Sequence, residues 1–154
     1  MNETGRVNLY RLISEAHLHY IKGRAKFPTS LIRKYHEGIL VGSACMDGEI
    51  YQALLSGASE EELAQAVSFY DYLEVQPGGN ASHLIANEKE EAIRDEEDLR
   101  KMIRRIVKLG EQFKKPVAAT GDVHYLDPGD VEYRRICKEG KIHRDRDAYE
   151  QTAF

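Results

Sequence analysis

The sequence lacks any long apolar run, and no window of its 154 residues approaches the roughly 18 consecutive apolar residues that a membrane helix needs. It also lacks the basic and then apolar start of a secretory signal, so we expect a cytoplasmic protein with no membrane partner. Cysteine is scarce as well, because Cys45 and Cys137 are the only two and lie far apart in sequence. Two such thiols make no disulfide framework, and we expect both to be reduced.

An excess of positive charge is also missing. Lys and Arg number 22 against 26 Asp and Glu, which gives a net charge of −4 and a pI near 5.9. The summed field does not favour a phosphate backbone, so a nucleic-acid role must be local or must belong to parts outside this sequence. No glycine-rich phosphate loop is present, since Gly78, Gly79 and Gly121 lack the lysine or glycine pattern that follows in such loops.

What the sequence does contain is the profile of one globular α/β domain, with 42% hydrophobic and 31% charged residues. Apolar periodicity and capping residues predict short strands that alternate with helices, and this alternation implies parallel pairing. The predicted strands are residues 39–41, 72–76 and 116–120, and the predicted helices are residues 8–22, 30–35, 49–55, 59–69, 95–113 and 131–137. The polar stretch from residue 80 to residue 94 is predicted to be a variable loop.

Asp122 and His124 follow the third predicted strand after a single glycine. In an extended segment, residues two apart point to the same side, so a carboxylate and an imidazole can converge on one metal ion. The carboxyl ends of parallel strands are also where α/β proteins place their ligands. The alternative stays open that Asp122 caps a turn and that His124 packs.

Cys45 follows the first predicted strand and could bind zinc as a thiolate, although a lone cysteine beside a strand is often a small buried apolar residue. Parallel strands would bring it to the same edge as Asp122 and His124. By contrast, His17 and His19 lie inside a predicted helix, where positions two apart diverge by about 200°, so we interpret them as surface or capping residues. The basic residues between 100 and 108 are interpreted as the solvated face of a helix, with an ion pair of Glu97 and Lys101.

Three segments, residues 38–45, 68–76 and 116–125, together resemble the PHP (polymerase and histidinol phosphatase) domain of the PolC-type DNA polymerase III α subunit of bacteria. The resemblance extends from Asn2 to Ile136. It implies the portion of the PHP domain that follows the exonuclease insertion, over residues 1–137, with residues 138–154 as a charged tail of uncertain order.

The resemblance also implies a partial, distorted (β/α)7 barrel with about three parallel strands and flanking helices. A metal cluster of zinc or manganese would lie at the carboxyl ends of the strands. Of the family's ligands, this sequence supplies Cys45, Asp122 and His124, and the early His-x-His motif and the intermediate ligands are absent. We therefore expect no catalytic residue in this part, and an isolated chain with unpaired strand edges that tends to self-associate.

In function, the resemblance implies a structural and metal-binding part of a replicative DNA polymerase. The parent enzyme would add deoxynucleotides to a primed template with Mg²⁺, carry a 3′-5′ exonuclease, and contact DNA, and the rest of the polymerase chain would be the partner of this part. Two alternatives remain: a free-standing metal-dependent phosphoesterase of the PHP superfamily, and a non-catalytic partner module in which all three candidate ligands are packing residues.

Overall fold

The structure is a computed structural model that describes residues 2–85 and 92–139. It divides into two compact units, Met1–Val41 and Gly42–Phe154. Within the described residues, no helix combines the length and the apolar character needed to cross a lipid bilayer.

The first unit consists of helix α1 (Glu3–His19), a hairpin of strands β1 (Ile21–Lys22) and β2 (Arg24–Ala25), and helix α2 (Thr29–Lys34). Helix α1 begins before the predicted residue 8 and ends at His19, so the predicted helical residues 21 and 22 lie instead in strand β1. Its start is set by Asn2, whose Oδ1 accepts a hydrogen bond from the Gly5 amide at 2.9 Å. The hairpin was not predicted, because two-residue strands carry too few residues to show an alternating pattern.

The core of the first unit is small and consists of Leu12, Ala16 and Leu31, with Ala25 and Tyr35 packed against it. The N-terminal turn of α1 lies directly against the backbone at Gly38. A side chain at Gly5 would come within 1.9 Å of the Gly38 carbonyl oxygen. Glycine at position 5 is therefore required by the close backbone approach rather than by its dihedral angles.

The second unit contains four helices and a two-stranded sheet in its described part. The helices are α3 (Glu49–Leu55), α4 (Glu60–Phe69), α5 (Glu96–Phe113) and α6 (Val131–Glu139), and the strands are β3 (Leu73–Val75) and β4 (Val117–Ala119). Strands β3 and β4 pair in parallel, with Leu73 opposite Val117, as the sequence predicted. The predicted helix bounds in this unit agree with the structure to within two residues, because the local sequence signals that set them are strong, whereas the predicted ion pair of Glu97 and Lys101 is replaced by other pairs.

The strongest such signal lies at the start of α4. Ser59 Oγ accepts from the Glu62 amide at 3.3 Å, and Glu62 Oε2 accepts from the Ser59 amide at 2.8 Å, which completes the predicted capping box. The backbone hydrogen bond from Ser59, followed by the one from its hydroxyl, holds the pKa of Glu62 below its ordinary value. The carboxylate therefore stays ionised at the positive end of the helix dipole.

The predicted strand at residues 39–41 is wrong. These residues form no strand, and Leu40 is 66% exposed. Only Gly42 pairs, through an isolated parallel bridge to Tyr72. An apolar run indicates burial in a sheet only when a neighbouring strand is available along its whole length, and Tyr72 supplies one residue of pairing. Of the three expected parallel strands, the described residues form two, β3 and β4, and the first is reduced to the bridge at Gly42.

The core of the second unit lies between α3, α4, α5 and strand β3. It is built from Ile50, Tyr51, Val67, Leu73, Ile106 and Leu109. A smaller cluster next to it contains Ala81, Ile93 and Leu99.

This smaller cluster corrects the predicted variable loop at residues 80–94. Residues Gly78–Leu84 form a 3-10 helix, and Asn80 and Ala81 are buried. On either side of residues 86–91, Ala81 and Ile93 pack with Leu99 of α5. Residues 86–91 of the predicted loop, and residues 140–154 of the predicted charged tail, lie outside the described residues.

Candidate functional site

The candidate site lies where strands β3 and β4 end. Because the two strands are parallel, their carboxyl ends meet at one edge of the sheet, and the chain that leaves Gly42 runs beside them. We call this group the sheet-edge site. Its residues are Cys45, Glu74, Gln76, Asn80, Thr120, Asp122 and His124.

A hydrogen-bonded cluster joins the ends of the two strands. The Thr120 hydroxyl donates to Glu74 Oε1 at 2.7 Å, and Gln76 Nε2 donates to the same oxygen at 3.4 Å. Backbone pairing continues beyond the ladder, since the Thr120 amide donates to the Val75 carbonyl at 3.0 Å. The cluster fixes the direction in which the chain leaves β4 and enters the segment that carries Asp122 and His124.

Asn80 ties the 3-10 helix to this edge. Its Nδ2 donates to the Gly121 carbonyl at 3.2 Å and to Gln76 Oε1 at 3.4 Å. Asn80 is only 6% exposed, so its amide depends on these partners. The buried amide thus holds the residue that immediately precedes Asp122.

Asp122 and His124 come together, as predicted. Asp122 Oδ1 lies 3.2 Å from His124 Nε2, and about one-third of each side chain is exposed. The reason differs from the predicted one, because the segment is not extended: Asp122 has a left-handed backbone, with φ at +53°. The turn at Asp122, rather than the alternation of a strand, brings the carboxylate to the imidazole.

Cys45 faces a different space. It is half-buried and lines a cavity of about 20 Å³, together with Glu74, Gln76, Asn80 and the α5 residue Ile103, among others. Neither Asp122 nor His124 lines this cavity. Its volume suits a single water molecule or ion and excludes an organic substrate.

The loop before Cys45 is held in an unusual conformation. Ala44 has φ at +58°, and Ser43 Oγ accepts a hydrogen bond from the Glu74 amide at 3.0 Å. Among the described residues, the non-glycine positions with positive φ are Ala44, Lys114 and Asp122, and Lys114 ends helix α5. The other two flank the sheet-edge site, and backbone strain of this kind concentrates at functional sites.

The donor set of Asp122 and His124 fits two ligands of one metal ion. The two side chains carry the oxygen and nitrogen donors that zinc accepts, and in the structure these two atoms contact each other directly at 3.2 Å. Within residues 2–85 and 92–139, however, no three His, Cys, Asp or Glu side chains are grouped so that they could hold an ion. The structure therefore joins the Asp/His pair but does not bring Cys45 to it, and the assignment of the three residues as ligands stays a prediction.

Sequence analysis missed Glu74, Gln76 and Asn80. A signal was available for Glu74, because a carboxylate in the middle of a short apolar strand is unexpected unless it has partners. No such signal marked Asn80, since its role depends on a carbonyl 41 residues further along the chain.

Two further predictions placed titratable residues on the protein surface: the histidines of α1 and the basic residues of α5. His17 and His19 lie in α1 and are exposed, with His17 Nδ1 at 2.8 Å from the Ile13 carbonyl. The basic residues of α5 form ion pairs on its exposed side, but with a different pairing from the predicted one. Lys101 contacts Asp98 at 2.8 Å, and Glu97 instead contacts Arg104 at 2.7 Å.

The chain matches one protein family and is similar in sequence to several curated proteins. A family profile described as the PHP domain matches residues 1–112. The chain is 47% identical over 146 residues to the PolC-type DNA polymerase III of Clostridium perfringens, which covers 95% of this chain and 10% of that protein. It is 49% identical to the Bacillus cereus protein of the same name and 46% identical to the Bacillus subtilis one, in each case over 88% of this chain and 9% of the relative. The chain thus spans about a tenth of the length of these curated relatives.

Proposed function

The chain belongs to the PHP domain family, and from that membership we propose that it is the PHP portion of a PolC-type replicative DNA polymerase III. The single observation that carries this proposal is an identity of 46–49% over 88–95% of the chain to proteins of that name. We propose further that residues 1–137 are the part of the PHP domain that follows an exonuclease insertion, and that the strands complete a distorted barrel with the rest of the polymerase chain.

The activity belongs to the proposed parent enzyme. It would extend a primed DNA template by metal-assisted nucleotidyl transfer, with Mg²⁺ as the cofactor and DNA as the substrate, in the cytoplasm. We propose that this chain's own role in that enzyme is structural and metal-binding. An independent phosphoesterase is less well supported, because the described residues group two metal donors rather than a complete set.

At the sheet-edge site, Asp122 and His124 would hold zinc or manganese, with Cys45 as the predicted third ligand. A bound ion would supply a Lewis acid and could lower the pKa of a water molecule. The neighbouring residues would position these ligands. Asn80 holds the Gly121 carbonyl, and the Glu74 and Thr120 pair holds the end of β4, so that the carboxylate and the imidazole stay together.

A first experiment separates the proposed parent from a free-standing enzyme. We expect the DNA that flanks the coding region to encode, in the same frame, an exonuclease segment upstream and a polymerase segment downstream. The physical reason is that the family's remaining ligands and strands must come from elsewhere in the polymerase. Genomic sequencing of the flanks checks this. A separate gene with its own promoter and stop codon, and no polymerase segments beside it, would contradict the proposal.

A second experiment tests the metal ligands. We expect Zn²⁺ binding, measured by titration calorimetry with the purified chain, to weaken by about tenfold or more in Asp122→Asn and in His124→Ala, because each removes a direct ligand. Cys45→Ala is expected to weaken Zn²⁺ binding as well, because its thiolate is the proposed third ligand.

The matched controls are His17→Ala and Cys137→Ala, which remove the same side chains from exposed positions. Both are expected to leave Zn²⁺ affinity unchanged. Equal losses in His17→Ala and His124→Ala, or unchanged binding in all site variants, would show that the sheet-edge site does not hold the ion.

A further inference from the structure

The two units differ sharply in charge. Residues 1–41 contain seven Lys and Arg against three Asp and Glu, a formal charge of +4, whereas the whole chain has −4. The remaining residues therefore carry −8, and the net charge of the chain conceals a basic first unit. A basic surface on a single unit is the electrostatic footprint of a polyanion ligand.

The positive charge of the first unit concentrates on its hairpin. Lys22 of β1 and Arg24 of β2 are directly opposite each other in the register, and Gly23, with φ at +76°, forms the turn between them. Lys26 follows, and its amide donates to the Tyr20 carbonyl at 3.0 Å. Three cationic side chains thus lie within one short hairpin and its exit.

This arrangement is unfavourable without an anion. Opposed residues of an antiparallel pair point to the same face, so two like charges face each other at Lys22 and Arg24, which destabilises the hairpin. All three cations are exposed, and in the described part of the chain Lys22, Arg24 and Lys26 form no ion pair. The Ala25 face of the hairpin packs on the core instead, which leaves the cationic face toward solvent.

Exposed aromatic rings accompany the cations. Tyr20, which immediately precedes the hairpin, is 41% exposed, and Phe27, which immediately follows it, is 42% exposed. The His19 ring meets the Tyr20 ring edge to face, with 6.5 Å between the centroids. Cations beside exposed rings are the two components of a site for unpaired nucleotides, since phosphates bind the cations and bases stack on the rings.

Cationic and aromatic side chains also occur together on helix α1. An open groove of about 440 Å³ is lined by two arginines and two tyrosines, Arg6, Arg11, Tyr10 and Tyr35, among others. The Arg6 guanidinium lies over the Tyr10 ring at 5.4 Å from its centroid and is ion-paired with Glu3, so Arg11 is the groove's other arginine. The one acidic residue that lines this groove, Glu15, forms an ion pair with Lys34 at 2.9 Å and accepts a hydrogen bond from the Tyr35 hydroxyl.

We propose that the hairpin of the first unit, with Lys22, Arg24, Lys26, Tyr20 and Phe27, binds single-stranded DNA. The surface is separate in sequence from the sheet-edge site. The inference rests on the proposed function only in naming the nucleic acid as DNA, because the charge and the exposed rings by themselves select a single-stranded polyanion with bases.

The test is fluorescence anisotropy of the whole chain with a fluorescein-labelled oligothymidylate of about 20 nucleotides, over a salt series that begins at about 50 mM. We expect the triple variant K22Q/R24Q/K26Q to bind at least about tenfold more weakly at the lowest salt. The slope of log K against log salt should fall by about 2, because each lost phosphate contact on a single strand contributes about 0.7. Tyr20→Ala should weaken binding by about tenfold with the slope unchanged, because it removes stacking and no charge.

The matched control is K101Q/R104Q/R105Q, which makes the same change in charge on α5, and its affinity should equal that of the unaltered chain. Circular dichroism confirms that the variants fold; if the triple variant does not, Lys22→Gln and Arg24→Gln singly should each lower the slope by about 0.7. Equal loss in the control would overturn the proposal, and so would tighter binding of duplex DNA with no effect of Tyr20→Ala. Zn²⁺ affinity should be unchanged in the hairpin variants, so failure here is distinguishable from failure of the proposed PHP function.

Discussion

Replacing Leu109 by alanine is expected to lower the free energy of unfolding by about 3–5 kcal/mol. Leu109 lies on α5 with its side chain fully buried, in the cluster that includes Leu73 of β3 and Val67 of α4. It therefore contributes to the packing between the helices and the sheet. Removing its isobutyl group loses the transfer free energy of the buried carbons and leaves a cavity that the surrounding helices can close only in part.

Urea denaturation followed by circular dichroism measures this change, and the control is Lys108→Ala on the neighbouring, exposed position of the same helix. The control should change the free energy of unfolding by less than about 0.5 kcal/mol, since an exposed side chain contributes little. If Leu109→Ala were as mild as Lys108→Ala, the packing described for α5 would be wrong.

Alanine at Gly48 is expected to destabilise the chain by about 3 kcal/mol and to displace the loop that carries Cys45. A Cβ at Gly48 would lie 2.0 Å from the Ser43 carbonyl oxygen and 2.9 Å from that of Cys45. Both atoms are backbone, so no change of rotamer relieves the contact. Either the start of α3 moves, or the loop moves and loses the hydrogen bond from the Glu74 amide to Ser43 Oγ.

Two measurements check this prediction. Urea denaturation gives the stability, and the rate of reaction of the Cys45 thiol with a disulfide reagent, in a Cys137→Ser background, reports displacement of the loop. Gly79→Ala is the control, because a Cβ there meets no heavy atom within 4 Å. A Gly48→Ala chain with the stability and thiol reactivity of the control would show that the loop tolerates the added carbon and is not held against α3.

These two positions show how the site depends on the fold around it. Leu109 packs the helix layer on β3, and β3 carries Glu74 and leads to Gln76. Gly48 lacks a Cβ and so lets the carbonyl oxygens of Ser43 and Cys45 lie close to the start of α3. Neither residue offers a chemical group to a ligand, yet both set where the donors of the sheet-edge site lie.

The helices were the part of the fold that sequence analysis predicted best. The range of α5 follows from its apolar stripe and from Asp95, whose side chain accepts from the Asp98 amide at 2.9 Å. The capping box of Ser59 and Glu62 marks the start of α4 in the same way. Such signals are local, because both partners lie within one turn of the helix. They can therefore be recognised from the sequence alone.

Strand pairing was predicted less completely. The parallel pairing of β3 with β4 followed from the alternation of helices and strands, but the apolar residues 39–41 were wrongly predicted to join them. Whether an apolar segment pairs depends on a partner that is distant along the chain. In this structure only Gly42 finds one.

The amino-acid sequence by itself determined where helices α2 to α6 lie, that β3 and β4 run in parallel, and that Asp122 and His124 follow the end of a strand. The tertiary structure decided which groups meet there. It turned the backbone at Asp122, buried Asn80 against Gly121, and placed Cys45 beside a cavity that neither Asp122 nor His124 lines. The physical reason is the separation along the chain of the residues that interact. Periodicity and capping act within a few residues, whereas the contacts that assemble a site join distant residues that only the packing of the chain brings together.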